Sequence, residues 1–449
     1  MMSFRRCCAI VVLIAASSGL AQADDTSSTP KAVPLTRPAM KSALDDLKDR
    51  EPRLPLPDVE EIDPEDGRPR ANNGRMRELY LPEELTSARS ARREDPNLKF
   101  DYRFSVMLFW ITSRANNCHY CLGHQENKLR AVEVTDDELA ALDSEWSRFT
   151  PAEQAAFAFA KKLTYRPHAI TDADFEALRK HYDDMRILEI VLLVSRYNAT
   201  NRWTDALGIP TEDYRVFETP TSPQYRDSRS IVAPCRIPPG NAVAGAPRPP
   251  ERPPLESRAE VDQKLAEAAT RTGRLPLASI EDAKKLTTSG GPSANANWVR
   301  LLANFPVTGG RWINVIDAAE KHGRLSPILK AKIAWTAARH DRAWYALALA
   351  EQRLRALGVS DEELATLHEI DSVGDAGLRE VLAFAAQLTI APQFTTDADI
   401  ARLREHFSDH EVAEIVYHIT QAAFFNRLTE MARLPIETTG QAEIQQVSP

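Results

Sequence analysis

A chain of 449 residues is long enough for about two to three domains, each able to bury its own core. Its 43% hydrophobic and 27% charged residues are ordinary for a globular protein, and a net charge of −8 leaves no basic footprint for nucleic acid. With 17 Gly against 30 Pro there is no Walker or G-x-G-x-x-G string, and five Cys in so long a chain exclude a disulfide scaffold. What remains is the expectation of a soluble, multi-domain, helical protein.

Residues 1–23 read as a secretory signal peptide. Arg5 and Arg6 supply the positive start, Cys7 to Leu20 the apolar stretch, and Ala21-Gln22-Ala23 the cleavage site. The apolar run is too short and too diluted by Ser17, Ser18 and Gly19 to anchor the chain in a bilayer. The expectation is therefore export without stable membrane insertion after signal removal, to the periplasm or cell surface if the source is a Gram-negative bacterium. Residues 24–40 are rich in Ser, Thr and Pro and read as disordered. A Pro-rich linker is expected over residues 217–259 and contains Cys235.

The two sides of that linker repeat each other. Residues Cys118 to Pro210 lie on Ala343 to Pro435 at a constant offset of 225 without a gap. VTDDELAAL from Val134 meets VSDEELATL from Val359, FAKKLT from Phe159 meets FAAQLT from Phe384, and TDAD from Thr171 meets TDAD from Thr396. The lead-in segments RLPLP from Arg53 and RLPLA from Arg274 match at an offset of 221. The reading is a tandem pair, residues 41–216 and 260–437, followed by a tail over 438–449. Each copy reads as about six helices. Thr135 or Asp136 caps one helix, and Thr171 with Asp174 starts another. ILEIVLLVSRYNATNRW, apolar around most of its circumference, makes a central buried helix. Alternating strand patterns are absent, so the fold class is all-α. Residues common to both copies, among them His181/His406, Glu126/Glu351, Tyr120/Tyr345 and the Asn-Arg pairs 201–202 and 426–427, read as scaffold.

What one copy has and the other lacks is Asn-Asn-Cys-His-Tyr-Cys-Leu-Gly-His-Gln, residues 116–125. At the offset of 225, Cys118 becomes Ala343, His119 Trp344, Cys121 Ala346, His124 Leu349 and Gln125 Ala350. Two Cys at i and i+3 share one helix face and can close a disulfide. Asn117 reads as the N-cap, which puts Cys118 at the first helical position, where the helix terminus lowers a thiol's pKa. Cys118 is then the nucleophile and Cys121 the resolving thiol, with His124 and His119 moving protons. A zinc site from Cys118, Cys121 and His124 lacks a fourth ligand, and covalent haem is excluded because Leu122 follows Cys121. A static structural disulfide is the bland alternative. No metal or cofactor is expected.

The NNCHYCLGHQENKLR string, followed by a helical stretch ending NATNRWTDALGIP, resembles the carboxymuconolactone decarboxylase / alkylhydroperoxidase-D-like family. The resemblance covers residues 104–210 and, more faintly, 329–435. It implies an all-α fold, homo-oligomers, and a CxxC pair that reduces peroxides beside a relay of Glu and His. It also makes Cys121 the attacking thiol and Cys118 its disulfide partner, the reverse of the helix-terminus assignment. The relay Glu expected twelve residues before the first Cys is Val106 here, and the His expected four beyond the second is Gln125. The expected function is an exported thiol–disulfide oxidoreductase, acting on a hydroperoxide or a protein disulfide with an unidentified thiol reductant. The alternatives are a non-enzymatic duplicated scaffold, or a decarboxylase-like enzyme that does not use the thiols.

Overall fold

The computed structural model describes residues 50–56, 71–86, 95–144, 146–212, 216–217, 230–231 and 252–437. The expected signal peptide, the Ser/Thr/Pro-rich segment, most of the expected linker with Cys235, and the expected tail lie outside the described residues. Within them the chain is all-α, with eighteen α-helices and one antiparallel pairing of Val216–Phe217 with Ser230–Ile231. The helices are α1 (Asn72–Tyr80), α2 (Glu83–Thr86), α3 (Tyr102–Asn116), α4 (His119–Arg130), α5 (Asp136–Ser144), α6 (Pro151–Tyr165), α7 (Asp172–Arg179) and α8 (Asp184–Ala206). There follow α9 (Arg258–Thr270), α10 (Ile280–Lys284), α11 (Asn297–Leu302), α12 (Thr308–Lys321), α13 (Pro327–Asp341) and α14 (Trp344–Ala356). The chain closes with α15 (Asp361–Thr366), α16 (Ala376–Ile390), α17 (Asp397–Arg404) and α18 (Asp409–Met431). Helix α9 begins two residues inside the expected linker.

Local chemistry sets the helix starts. Thr135 caps α5, receiving the Glu138 N–H on its hydroxyl while the Glu138 carboxylate takes the Thr135 N–H. Asp174 accepts the Thr171 N–H at 2.7 Å and its hydroxyl at 2.9 Å at the start of α7. ILEIVLLVSRYNATNRW falls within α8, buried around nearly its whole circumference.

The helices from α3 to α8 return as α13 to α18 at the offset of 225, Tyr102 to Pro327, Pro151 to Ala376 and Asp184 to Asp409. The correspondence reaches further than the sequence match, because Asn72 opening α1 and Asn297 opening α11 make the same bonds. Asn72 gives its N–H to Glu212 at 2.6 Å and its side-chain amide to the Pro210 carbonyl at 3.1 Å. Asn297 does the same with Glu437 at 2.5 Å and Pro435 at 3.0 Å.

The two helix sets do not keep separate cores. Helix α8 packs most extensively on α18, and one buried cluster joins Leu108, Phe157 and Ile190 to Phe424 and Leu428. The lead-in segments cross over reciprocally. Arg53 takes a backbone place against Leu207 of its own set and sends Nε to Asp397 at 2.6 Å, while Arg274 lies against Ala432 and sends Nε to Asp172 at 2.5 Å. Asp172 and Asp397 are equivalent positions, so the contact is isologous, as in a two-fold dimer.

Candidate functional site

The site forms where α3 ends and α4 begins. Asn117 takes the left-handed conformation, φ 58°, and closes α3; Cys118 follows as the N-cap of α4. This corrects the expected register by one residue: Asn117 is a C-cap, and Cys118 is not inside the helix. Asn suits either task, since its short amide tolerates the left-handed region as readily as it caps. The same break occurs at Arg342 and Ala343 in the second set, so the corner belongs to the scaffold.

Neither thiol is bonded to another cysteine, and both are buried, Cys118 at 0% and Cys121 at 2% exposure. The Cys121 N–H reaches Cys118 Sγ at 3.4 Å, and the two sulfurs converge on the Thr204 hydroxyl at 3.1 and 3.2 Å. Burial pushes the Cys118 thiol well up, with the neighbouring Cys121 and Asp205 acting in the same direction. The expected lowering at the helix terminus is therefore overturned: desolvation of a thiolate outweighs one helix end. Asp205, beside Cys118, is itself pushed up to about 7 by desolvation, against the opposing Cys118 hydrogen bond and the guanidinium groups of Arg50 and Arg53.

His124 stands one turn beyond Cys121 on α4. Its Nε2 meets Glu212 Oε2 at 2.9 Å, and the other Glu212 oxygen accepts the Tyr120 hydroxyl at 3.1 Å. The Tyr120 and His124 rings are 4.3 Å apart, centroid to centroid. His119 is half-buried at the first position of α4. Val106 and Gln125, where the resemblance expects a relay, are both buried, and Gln125 Oε1 has no hydrogen-bond partner among the described residues. Among those residues no three His, Cys, Asp or Glu side chains gather as a metal site.

Two of the pairs read as scaffold, Glu126/Glu351 and Tyr120/Tyr345, behave alike in both sets, whereas Arg202 and Arg427 take different partners. Glu126 accepts Trp110 Nε1 and Glu351 accepts Trp335 Nε1, each at 3.3 Å. Tyr345 binds Glu437 at 2.8 Å as Tyr120 binds Glu212. Three site residues escaped the sequence reading: Thr204, Asp205 and Glu212. Glu212 lay two positions past the end of the matched stretch, where extending the offset of 225 pairs it with Glu437.

The apolar surroundings of the thiols come from both sets. The cluster holding Cys118, Tyr120 and Cys121 also contains Met76 and Tyr80 of α1, Trp203 of α8, and Phe384 and Leu388 of α16. Among the described residues no helix is long and apolar enough to cross a membrane. No family model matches the chain. Over 100 residues, 21% of its length, it is 26% identical to the "Uncharacterized protein YdfG" of Bacillus subtilis (strain 168), covering 67% of that protein.

Proposed function

We propose that the chain is an exported thiol–disulfide oxidoreductase of alkylhydroperoxidase-D-like type, whose Cys118–Cys121 pair reduces a small hydroperoxide and is restored by a dithiol reductant. The observation that carries this reading is the convergence of both buried sulfurs on Thr204 with the Cys121 N–H on Cys118. Tandem alkylhydroperoxidase-D-like copies and a homo-oligomer are part of the same proposal, the first supported by the helices that recur at a constant offset.

Burial that holds Cys118 protonated favours Cys121 as the attacking thiol, the order the resemblance implies. Cys121 gives its proton to His124, whose charge Glu212 balances. The Cys121 thiolate attacks the terminal peroxide oxygen, the O–O bond breaks, and the leaving alkoxide takes the proton from His124. Cys121 is left as a sulfenic acid. Cys118 then passes its proton to the adjacent Asp205 and attacks the Cys121 sulfur; the S–S bond forms and water leaves with that proton. An external dithiol returns two electrons by exchange. The buried position limits the oxidant to small hydroperoxides.

The test is stopped-flow oxidation of the reduced protein by an organic hydroperoxide. Wild type is expected to oxidise far faster than a free thiol, Cys121→Ser to lose the fast phase, and Cys118→Ser to form a sulfenic acid that accumulates. Oxidation at the free-thiol rate overturns the peroxidase reading.

A further inference from the structure

A second polar centre lies between the helix sets. In the first set the Asn198 side chain is its keystone. Asn198 Oδ1 accepts Arg202 Nη1 at 3.1 Å and Asn116 Nδ2 at 3.2 Å, and its Nδ2 donates to the Thr164 hydroxyl at 3.2 Å. Arg202 then reaches across to the Thr389 carbonyl at 2.8 Å.

The equivalent of Asn198 is Ala423, fully buried, so no carboxamide occupies the matching place beside Arg427 and Thr389. Of the groups that Asn198 serves in the first set, the Thr389 hydroxyl is the one left over there; Arg427 Nη1, the counterpart of the Arg202 donor, turns instead to Asp341, which stands where Asn116 does. Among buried polar atoms without a partner are Arg427 Nε and Nη2 and the Thr389 hydroxyl. Arg427 keeps only Nη1 engaged, with Asp341 at 3.0 Å and the Ala423 carbonyl at 3.1 Å. Its side chain is 0% exposed.

The charge is also unbalanced. Arg252 Nη1 stands 3.8 Å from Asp341, and Arg202 lies within the field of both Arg252 and Arg427. Three guanidinium groups thus face the Asp341 carboxylate, whose Oδ1 makes no hydrogen bond, with Asp205 farther out, while Arg252 Nη2 and Arg202 Nε also lack acceptors. Buried donors without acceptors and uncompensated positive charge are both costly. The Nε–Nη2 edge of arginine is the edge that grips an anion side-on. Burial, followed by the nearness of Arg427, pushes Arg202 well down, as expected of a site short of negative charge.

The geometry points to a small-anion site, of chloride or formate size, in the place of the missing carboxamide beside Ala423, gripped by Arg427 Nε and Nη2 and the Thr389 hydroxyl, with Arg202 and Arg252 supplying the field. An anion this deep binds only the folded chain, and so stabilises it by mass action.

Thermal unfolding of the full chain at constant ionic strength tests this, with gluconate replaced stepwise by chloride. Wild type is expected to show a midpoint that rises and saturates at low-millimolar chloride. Ala423→Asn, which restores the residue the first set already carries, is expected to melt higher in gluconate and to lose the chloride response. Crystals grown in bromide give the second readout: an anomalous peak beside Ala423 in wild type and none in Ala423→Asn. A flat chloride titration of wild type, an unchanged response in Ala423→Asn, or no bromide peak overturns the site.

Discussion

The start of α4 and the start of α14 are built on one plan and filled differently. At α14 the Glu430 carboxylate receives the Trp344 N–H at 3.0 Å and pairs with Arg271 at 2.7 Å, over Ala343 and Ala346. At α4 the equivalent acid is Asp205, one methylene shorter, and the alanines are Cys118 and Cys121. The corner, the Tyr–Glu clamp and the Asn that closes it are the same. The difference teaches that the scaffold specifies where a reactive group would sit, while a handful of side chains decides whether the place is chemical or inert.

The sharpest way to break the comparison is to exchange its third member. His124→Leu copies Leu349 and is expected to slow hydroperoxide-driven oxidation by about 10²–10⁴-fold, the usual scale of a lost proton-transfer group. The reverse change, Leu349→His, is expected to leave the rate alone. Equal, small effects of the two in stopped flow would mean that the halves do not differ in chemistry where they differ in sequence.

Asp205 gives the next largest effect. Its carboxyl ordinarily titrates near 3.8 and is raised to about 7 in the fold. The folded state therefore holds a proton that the unfolded state releases between those values, and this group's contribution to stability falls as pH rises from about 4 to about 7. Asp205→Asn is expected to abolish that fall and to exceed wild type at pH 8 by up to about 4 kcal/mol. Urea midpoints at pH 5 and pH 8 read it; a wild-type-like slope in the variant refutes it.

The crossover of the lead-in segments separates buried from exposed electrostatics. Arg53, its side chain 4% exposed, donates to the carbonyls of Asp205, Ala206 and Thr395 as well as to Asp397. Arg53→Ala is expected to cost about 2 kcal/mol in denaturant unfolding, because buried acceptors lose charged donors. Asp397 is 75% exposed, and Asp397→Asn is expected to cost under about 1 kcal/mol. Equal costs would show that the ion pair, rather than the carbonyl contacts, holds the segment.

Much of this was legible in the chain. The repeated VTDDELAAL and TDAD strings carry their own caps, and the apolar stretch from Ile187 announces a buried helix, because these are local signals. The sequence signal at the thiol corner is ambiguous by one residue because Asn117 can either start or end a helix, and only its backbone angle decides. The Cys118 acidity is not legible in the spacing, which shows the helix end but not the dry surroundings supplied by residues far away in sequence, such as Met76 and Trp203. Glu212 and Asp205 stayed hidden for a related reason. Their counterparts are also acids, so a search for differences between the copies passes over them.

The crossing of Arg53 and Arg274 has one more consequence. Two separate molecules holding each other this way would come apart on dilution, and the apolar cluster that joins the thiols to Phe384 and Leu388 would open with them. Carried on one polypeptide, the encounter is intramolecular, so its extent is independent of protein concentration. Dilution then does not separate the two sets, and the second acts as a permanently supplied partner of the one that carries the thiols.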